Sequence, residues 1–156
     1  MLSLIIRDAT ASDSGAVLAC LREAFEPYRE AYSRDGFADT TLTEQSFQRR
    51  LREMRVLVAL NFRGEVIATV AGTSNGGEGH LRGMAVRPPF AGTGAAQRLL
   101  DAIERDLRRR GCRRVTLDTT EPLHRAIRFY ERNGYRRTGI VGDFYGMRLI
   151  EYEKRL

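Results

Sequence analysis

The stretch HLRGMAV-RPPFAGTG-AAQRLLDAIERDLRRR, residues 80–110, constrains the fold more than any other part of the chain. An apolar run leads into a turn rich in proline, glycine and alanine, and a strongly periodic pattern leads out. Leu99, Leu100, Ile103 and Leu107 recur at the spacing of one helical face, and Gly111 follows as a stop. Helices usually open on a side chain that accepts from their first N–H groups. This one opens on Gly94, Ala95 and Ala96, which leaves those donors uncapped and gives an anion room to approach the positive helix end.

The rest of the chain supplies elements on either side. LSLIIRDA (2–9) reads as a strand. Ser12 and Asp13 read as the cap of a helix over 16–25, with Val17, Leu18, Leu21 and Phe25 on one face. PYREAYSRDGFADTTL (27–42) reads as a long loop or a broken helix, and TEQSFQRRLREM (43–54) as a second helix. RVLVAL and EVIATVAGT form a hairpin across Asn61 and Gly64, and SNGGEG (74–79) turns the chain into HLRGMAV. RRVTLD (113–118) is a strand, PLHRAIRFYERN (122–133) a helix stopped by Gly134, and YRRTGI and YGMRLIEYEKRL are closing strands. The order β-α-α-β-β-β-α-β-α-β-β mixes hairpins with one βαβ crossover, so a three-layer α/β sheet is expected, in one domain over residues 1–156.

Charge and cysteine usage exclude several classes. The net charge is +6, which favours anionic partners. Two cysteines without a CxxC pair or a Cys/His cluster make no zinc site, so no metal is expected. No apolar run approaches membrane-spanning length and the start lacks a basic leader, so a cytoplasmic protein with no membrane partner is expected. Arginine clusters at 108–110, 113–114 and 136–137 come without a helix-turn-helix, RNP or zinc pattern, so nucleic acid is not the expected partner.

The glycine turn can be compared with known phosphate-binding strings. The P-loop string is absent. A dinucleotide fingerprint is half met by Gly92-x-Gly94-x-x-Gln97 with Asp118 ending the next strand, but the third glycine is missing. MAVRPPFAGTGAAQRLLDAI resembles, more closely, the strand-4/helix-3 segment of the GCN5-related N-acetyltransferase (GNAT) family, V-x-P-x-x-[RQ]-G-x-G-[IAV]-[GA]. PLHRAIRFYERNGYRRTG resembles that family's second segment, N-x-x-A-x-x-F-Y-x-x-x-G-F. The specific part runs from Met84 to Tyr135. The sequence departs at Ala91, where the family has Arg or Gln, and at His124, read as standing for the Asn. Thr93, Arg87 or Arg98 are the candidates to compensate for Ala91.

The resemblance implies a GNAT-like α/β/α fold with a mixed, mostly antiparallel central sheet and a splay between strands 4 and 5. It implies transfer of an acetyl group from acetyl-CoA to a primary amine, on a small molecule or a peptide, by direct attack. Cofactor contacts are implied at Met84, Ala85, Val86, Ala91, Gly92, Thr93, Gly94, Ala95, Ala96, His124, Phe129 and Tyr130. Tyr130 is implied as the general acid that protonates the leaving thiolate. Glu78 is the expected base, with His80 and Asp118 as alternatives. Tyr28, Tyr32, Asp118 and Tyr145 are expected at the acceptor, with Phe37 and Phe144 as further walls. A homodimer is a family-level expectation. The alternatives are a non-catalytic acyl-CoA sensor on the same fold, a basic nucleic-acid-binding module and a nicotinamide-binding protein.

Overall fold

The structure, a computed structural model, describes residues 3–156. Its strands are β1 (Ile5–Asp8), β2 (Arg55–Leu60), β3 (Val66–Asn75), β4 (Glu78–Val86), β5 (Arg114–Thr120), β6 (Arg136–Phe144) and β7 (Met147–Arg155). Its helices are α1 (Ser14–Phe25), α2 (Arg34–Thr41), α3 (Glu44–Glu53), α4 (Ala95–Arg109) and α5 (His124–Arg132). The strands form one seven-stranded sheet in the order β1-β2-β3-β4-β5-β7-β6. Only β4 and β5 pair parallel; all other neighbours are antiparallel.

Each face of the sheet carries its own apolar core. Leu99, Leu100, Ile103 and Leu107 of α4, with Tyr130 of α5, pack on one face against Leu57, Ile67, Leu81 and Leu117. Val17, Leu21, Phe37 and Phe47 from α1, α2 and α3 pack on the other against Val56, Val58, Ala71 and Ala85. This is the expected three-layer arrangement with a mixed sheet. No helix among the described residues is long and apolar enough to cross a membrane.

The structure sharpens four local expectations. Residues 27–42 take the broken-helix alternative: a 3-10 turn (Glu26–Ala31) leads to α2, whose Ser33 cap accepts from the Gly36 N–H. Asp13 does not cap α1. Its carboxylate accepts from the Thr10 N–H and from Arg7, and that guanidinium holds it down to about 2. The turn between β3 and β4 shrinks to Gly76 and Gly77, because Asn75 already pairs with Glu78. The first expected strand is shorter, and its Leu2 lies outside the described residues.

Two departures from regular pairing shape the middle of the sheet. β4 and β5 pair only over Glu78–Leu81 and Arg114–Leu117. Beyond Leu81, Thr69 pairs with Ala85 and Ala71 with Arg82, so Val70 alone faces both Gly83 and Met84. That is a β-bulge, and it bends a strand and increases its twist. Gly83 takes φ +64, a conformation glycine adopts without the Cβ clash. The bulge turns the end of β4 away from β5 and opens the sheet between them.

Candidate active site

The opening forms a cleft of about 200 Å³, lined on the β4 side by His80, Arg82, Gly83 and Met84. Leu117, Asp118, Thr119 and Thr120 line it from β5, Leu123, Ala126 and Tyr130 from around α5. Tyr32, Asp39 and Arg50 close it from the α1–α3 layer, and Phe144 and Leu149 from the last hairpin. A larger, shallower hollow of about 700 Å³ lies where the ends of α3 and β3 meet Arg110. Several of its charges pair with one another, Arg55 with Asp8 and Asp106, and Arg110 with Asp106.

At the end of β4, Gly92 and Gly94 both take positive φ, +79 and +87. Gly94 is the N-cap of α4 and provides no side-chain bond to it. A Cβ built on either glycine would meet nothing within 4 Å, so the space in front of the helix start is open. The N–H groups of Gly92, Gly94, Ala95 and Ala96 have no acceptor among the described residues, as expected for an uncapped first turn. The amides of Ala91 and Thr93 differ: they donate to Pro88 O at 3.1 Å and Phe90 O at 3.4 Å. They shape the loop and are not available to an anion.

None of the three groups expected to replace the side chain lost at Ala91 is uncommitted. The Thr93 hydroxyl donates to Phe90 O at 2.6 Å. Arg87 pairs with Glu23 at 2.6 Å and lies over the Phe90 ring. Arg98 donates to Leu4 O at 3.2 Å. The anion site therefore consists of main-chain donors and the helix end.

Along β4, residues 82–86 lack a strand partner on the β5 side, so Met84 and Val86 offer backbone groups to the cleft. The side chain of Ala85 is buried towards α1, where Cys20 Sγ donates to its carbonyl at 3.9 Å. Open donors at the helix start, empty space before the glycines and an unpaired strand edge fit an extended ligand with a phosphate end.

Tyr130 lies at the floor of the cleft, 6% exposed, edge-on to Phe129 and Tyr135 at ring distances of 5.4 and 5.5 Å. Burial pushes its phenol well above the ordinary value, so it stays protonated at neutral pH. Its hydroxyl has no hydrogen-bond partner among the described residues. Phe129 packs into the α4 core and does not line the cleft.

His124 is exposed on the first turn of α5 and does not reach the cleft; Leu123 does. Counting back three residues from Ala126 also gives Leu123, so the motif's Asn corresponds to an apolar side chain here, not to His124. Glu78 is similarly displaced. It sits at the closed end of β4 and pairs with Arg114 at 2.9 Å. Five residues along a strand separate it from Gly83, roughly 17 Å.

The structure instead brings His80 and Asp118 together. They project from the parallel strands into the cleft, with Nε2 and Oδ2 3.6 Å apart. The Thr116 hydroxyl donates towards Gly79 O at 3.5 Å, and its oxygen lies 2.8 Å from His80 Nδ1. With the ring proton on Nδ1, donated to Thr116, the Nε2 lone pair is the one that can accept a proton beside Asp118. Burial pulls the imidazole below its ordinary value, against the attraction of Asp118. Burial raises Asp118, with His80 opposing.

Of the expected acceptor aromatics, Tyr32 and Phe144 line the cleft, and the Tyr32 hydroxyl shares a 2.7 Å bond with Thr120. Tyr28 packs at the edge of the α1 core, Phe37 is buried behind Tyr32, and Tyr145 is an exposed turn residue. Among the described residues, no group of three or more His, Cys, Asp or Glu is placed to hold a metal.

Comparison with solved structures places this architecture. The PaiA N-acetyltransferase of Thermoplasma acidophilum, solved in complex with coenzyme A, superposes with a TM-score of 0.83 at 18% identity, over 99% of each chain. A GNAT-family acetyltransferase from Staphylococcus aureus Mu50 gives 0.80 at 16% identity, again over 99% of each. The ribosomal-protein-S18-alanine N-acetyltransferase of Escherichia coli gives 0.79 at 18% identity, over 98% of this chain and 94% of that one. At such identities the likeness is one of fold. The sequence itself matches the Acetyltransferase (GNAT) family over residues 17–135, and the chain belongs to that family.

Proposed function

We propose that the chain works as one domain that transfers the acetyl group of acetyl-CoA to a primary amine. The observation that carries this reading is the succession of three features along the end of β4: the cleft with the buried Tyr130, the β4 edge left unpaired beside it, and the open N–H donors at the α4 start that follows the strand. When bound, acetyl-CoA supplies a thioester carbonyl open to attack and a thiolate as leaving group.

The chain's own groups divide the remaining work. Gly92, Gly94, Ala95 and Ala96 hold the pyrophosphate through main-chain N–H groups. Backbone groups of Met84, Ala85 and Val86 align the pantetheine arm, and the adjacent N–H donors stabilise the developing oxyanion. His80 takes the ammonium proton at Nε2, with Asp118 balancing the resulting charge. As the C–N bond forms and the C–S bond breaks, Tyr130 gives its phenolic proton to sulfur, and the second proton of the attacking nitrogen, passed through solvent, restores the phenol. No acyl-enzyme is needed: burial pushes the Cys20 thiol up to about 12, so it carries no thiolate at neutral pH.

The direct test is release of free thiol from acetyl-CoA in the presence of primary amines, alongside a thermal melt with CoA. Stabilisation by CoA together with amine-dependent thiol release supports the reading. CoA binding without release for any amine would make the protein an acyl-CoA sensor.

Two further outcomes are expected. Gly94→Asp sets a carboxylate against the pyrophosphate and raises the CoA dissociation constant by roughly 100-fold, about 2.8 kcal/mol, by isothermal titration. Gly94→Ala adds similar backbone strain without the charge; if both variants bind alike, the loop is not the phosphate site. For His80, only the neutral ring acts as base. Its depressed value means kcat/KM rises with pH along a limb whose midpoint lies below the ordinary 6.5 and is level above it. The same sign applies to stability: the unfolded chain takes up this proton first, so His80 costs stability as pH falls below about 6.5. His80→Gln should abolish the acidic limb, and an unchanged profile would remove His80 from the base role.

A further inference from the structure

Arg50 lines the cleft, and none of these roles uses it. It reaches in from α3 and lies against the β4 bulge, so closely that a Cβ on Gly83 would stand 2.5 Å from its Nη1. The missing side chain at Gly83 is therefore a slot for this guanidinium. No carboxylate among the described residues pairs with it. The nearby Asp39 is paired with Arg82 at 3.6 Å. Burial, reinforced by the positive charge of Arg82, pulls Arg50 down to about 10, and Asp39 only partly opposes this. It remains charged at neutral pH, half-buried and without an ion-pair partner among the described residues. A charge in that state is costly unless something pairs with it.

The other side of the cleft has the complementary deficit. Asp118 on β5 stands directly opposite Glu151 on β7 in the antiparallel register, so the two carboxylates share one face. Glu151 Oε1 is buried and has no hydrogen-bond donor; its nearest cation, Arg114, is 3.9 Å away. His80 Nε2 and Asp118 Oδ2 stand 3.6 Å apart beside that carboxylate. Two carboxylates stand together on the β5–β7 side, one with an unpartnered oxygen, and a guanidinium without a carboxylate stands on the β4 side.

We propose that the accepted amine itself carries a carboxylate, that Arg50 receives this carboxylate at the Gly83 bulge, and that Asp118 and Glu151 draw in the ammonium. The substrate class is a free amino acid or another aminocarboxylic acid, not a simple alkylamine or a polyamine. This rests on the acetyltransferase reading and adds the acceptor's second charge to it. A planar carboxylate matches the guanidinium fork in two parallel bonds, and a simple amine leaves the fork empty.

The test compares matched probes. Amino acids are assayed for thiol release against their carboxamides, and ω-amino acids against alkylamines of the same length. Wild type should favour the carboxylate member by roughly 10- to 100-fold in kcat/KM, the scale of one charge-assisted pair. Arg50→Met, which keeps the apolar stem, should bring that ratio near one with the acetyl-CoA dissociation constant unchanged; Arg50→Lys should keep part of it. Titration of CoA-loaded enzyme with N-acetylamino acids and their amides reads the same preference without turnover, so it stands apart from failure of the catalytic reading. Equal binding of acid and amide, or a preference that survives in Arg50→Met, overturns the proposal. So does an Arg50-dependent preference for succinyl-CoA over acetyl-CoA, because the carboxylate would then belong to the donor.

Discussion

Tyr130→Phe is expected to lower kcat by roughly 10²- to 10⁴-fold, the range of one positioned proton donor, with the CoA dissociation constant nearly unchanged. The change removes a single oxygen from a ring that is already packed edge-on between Phe129 and Tyr135. The hydroxyl has no hydrogen bond to another described side chain, so its loss orphans no partner and the fold should be indifferent to it. Single-turnover thiol release with saturating acetyl-CoA measures the step directly, and isothermal titration measures binding. Full turnover in the variant would show that the thiolate leaves without help from Tyr130. Loss of CoA affinity at an unchanged rate would make the residue a packing contact of the cofactor arm.

The second large effect concerns stability. Glu104, on the buried face of α4, accepts from the Tyr135 hydroxyl at 2.7 Å and from Lys154 Nζ at 2.9 and 3.1 Å. These bonds tie α4 to β7 and to the start of β6 through a carboxylate that is 4% exposed. Glu104→Ala leaves an ammonium and a phenol without their acceptor. The expected loss is about 3 kcal/mol, the low end for a broken buried pair because the Lys154 side chain keeps 21% of its exposure. For a domain of this size that lowers Tm by roughly 6–12 °C. Glu104→Leu combined with Lys154→Met replaces the pair by apolar volume and should recover most of the loss. Calorimetry on the two variants decides it: a double variant as unstable as the single one would mean the pair contributes by attraction, not by avoiding an orphaned charge.

What the sequence made legible follows from how local each signal is. The β4-turn-α4 unit is written in neighbouring residues, and Leu99, Leu100, Ile103 and Leu107 are all buried as their spacing requires. Tyr130 was marked by the motif and sits in the cleft. His80 and Asp118 were legible only as alternatives for the base; that they meet depends on the parallel register of β4 and β5, which no local pattern states. Glu78 has the right residue type and lies on the right strand, at the wrong end of it. Asp39 lies on α2, in the stretch that reads as a loop or a broken helix, and Arg50 on the expected helix α3; that both reach the cleft depends on how this layer packs on the sheet. One available signal went unused: a glycine inside HLRGMAV marks a bulge or a close approach, and Gly83 is both.

The sequence contains a single lysine, Lys154, and its nitrogen is the one bound to Glu104. Every other basic side chain except the two histidines is an arginine, whose guanidinium is charged at all working pH values and is a poor nucleophile. That nitrogen is bound to both carboxylate oxygens of Glu104 and turned towards α4. The chain therefore exposes no ready side-chain amine to its own chemistry or to that of a neighbouring copy. A catalyst that consumes amines in this way keeps itself off its list of substrates.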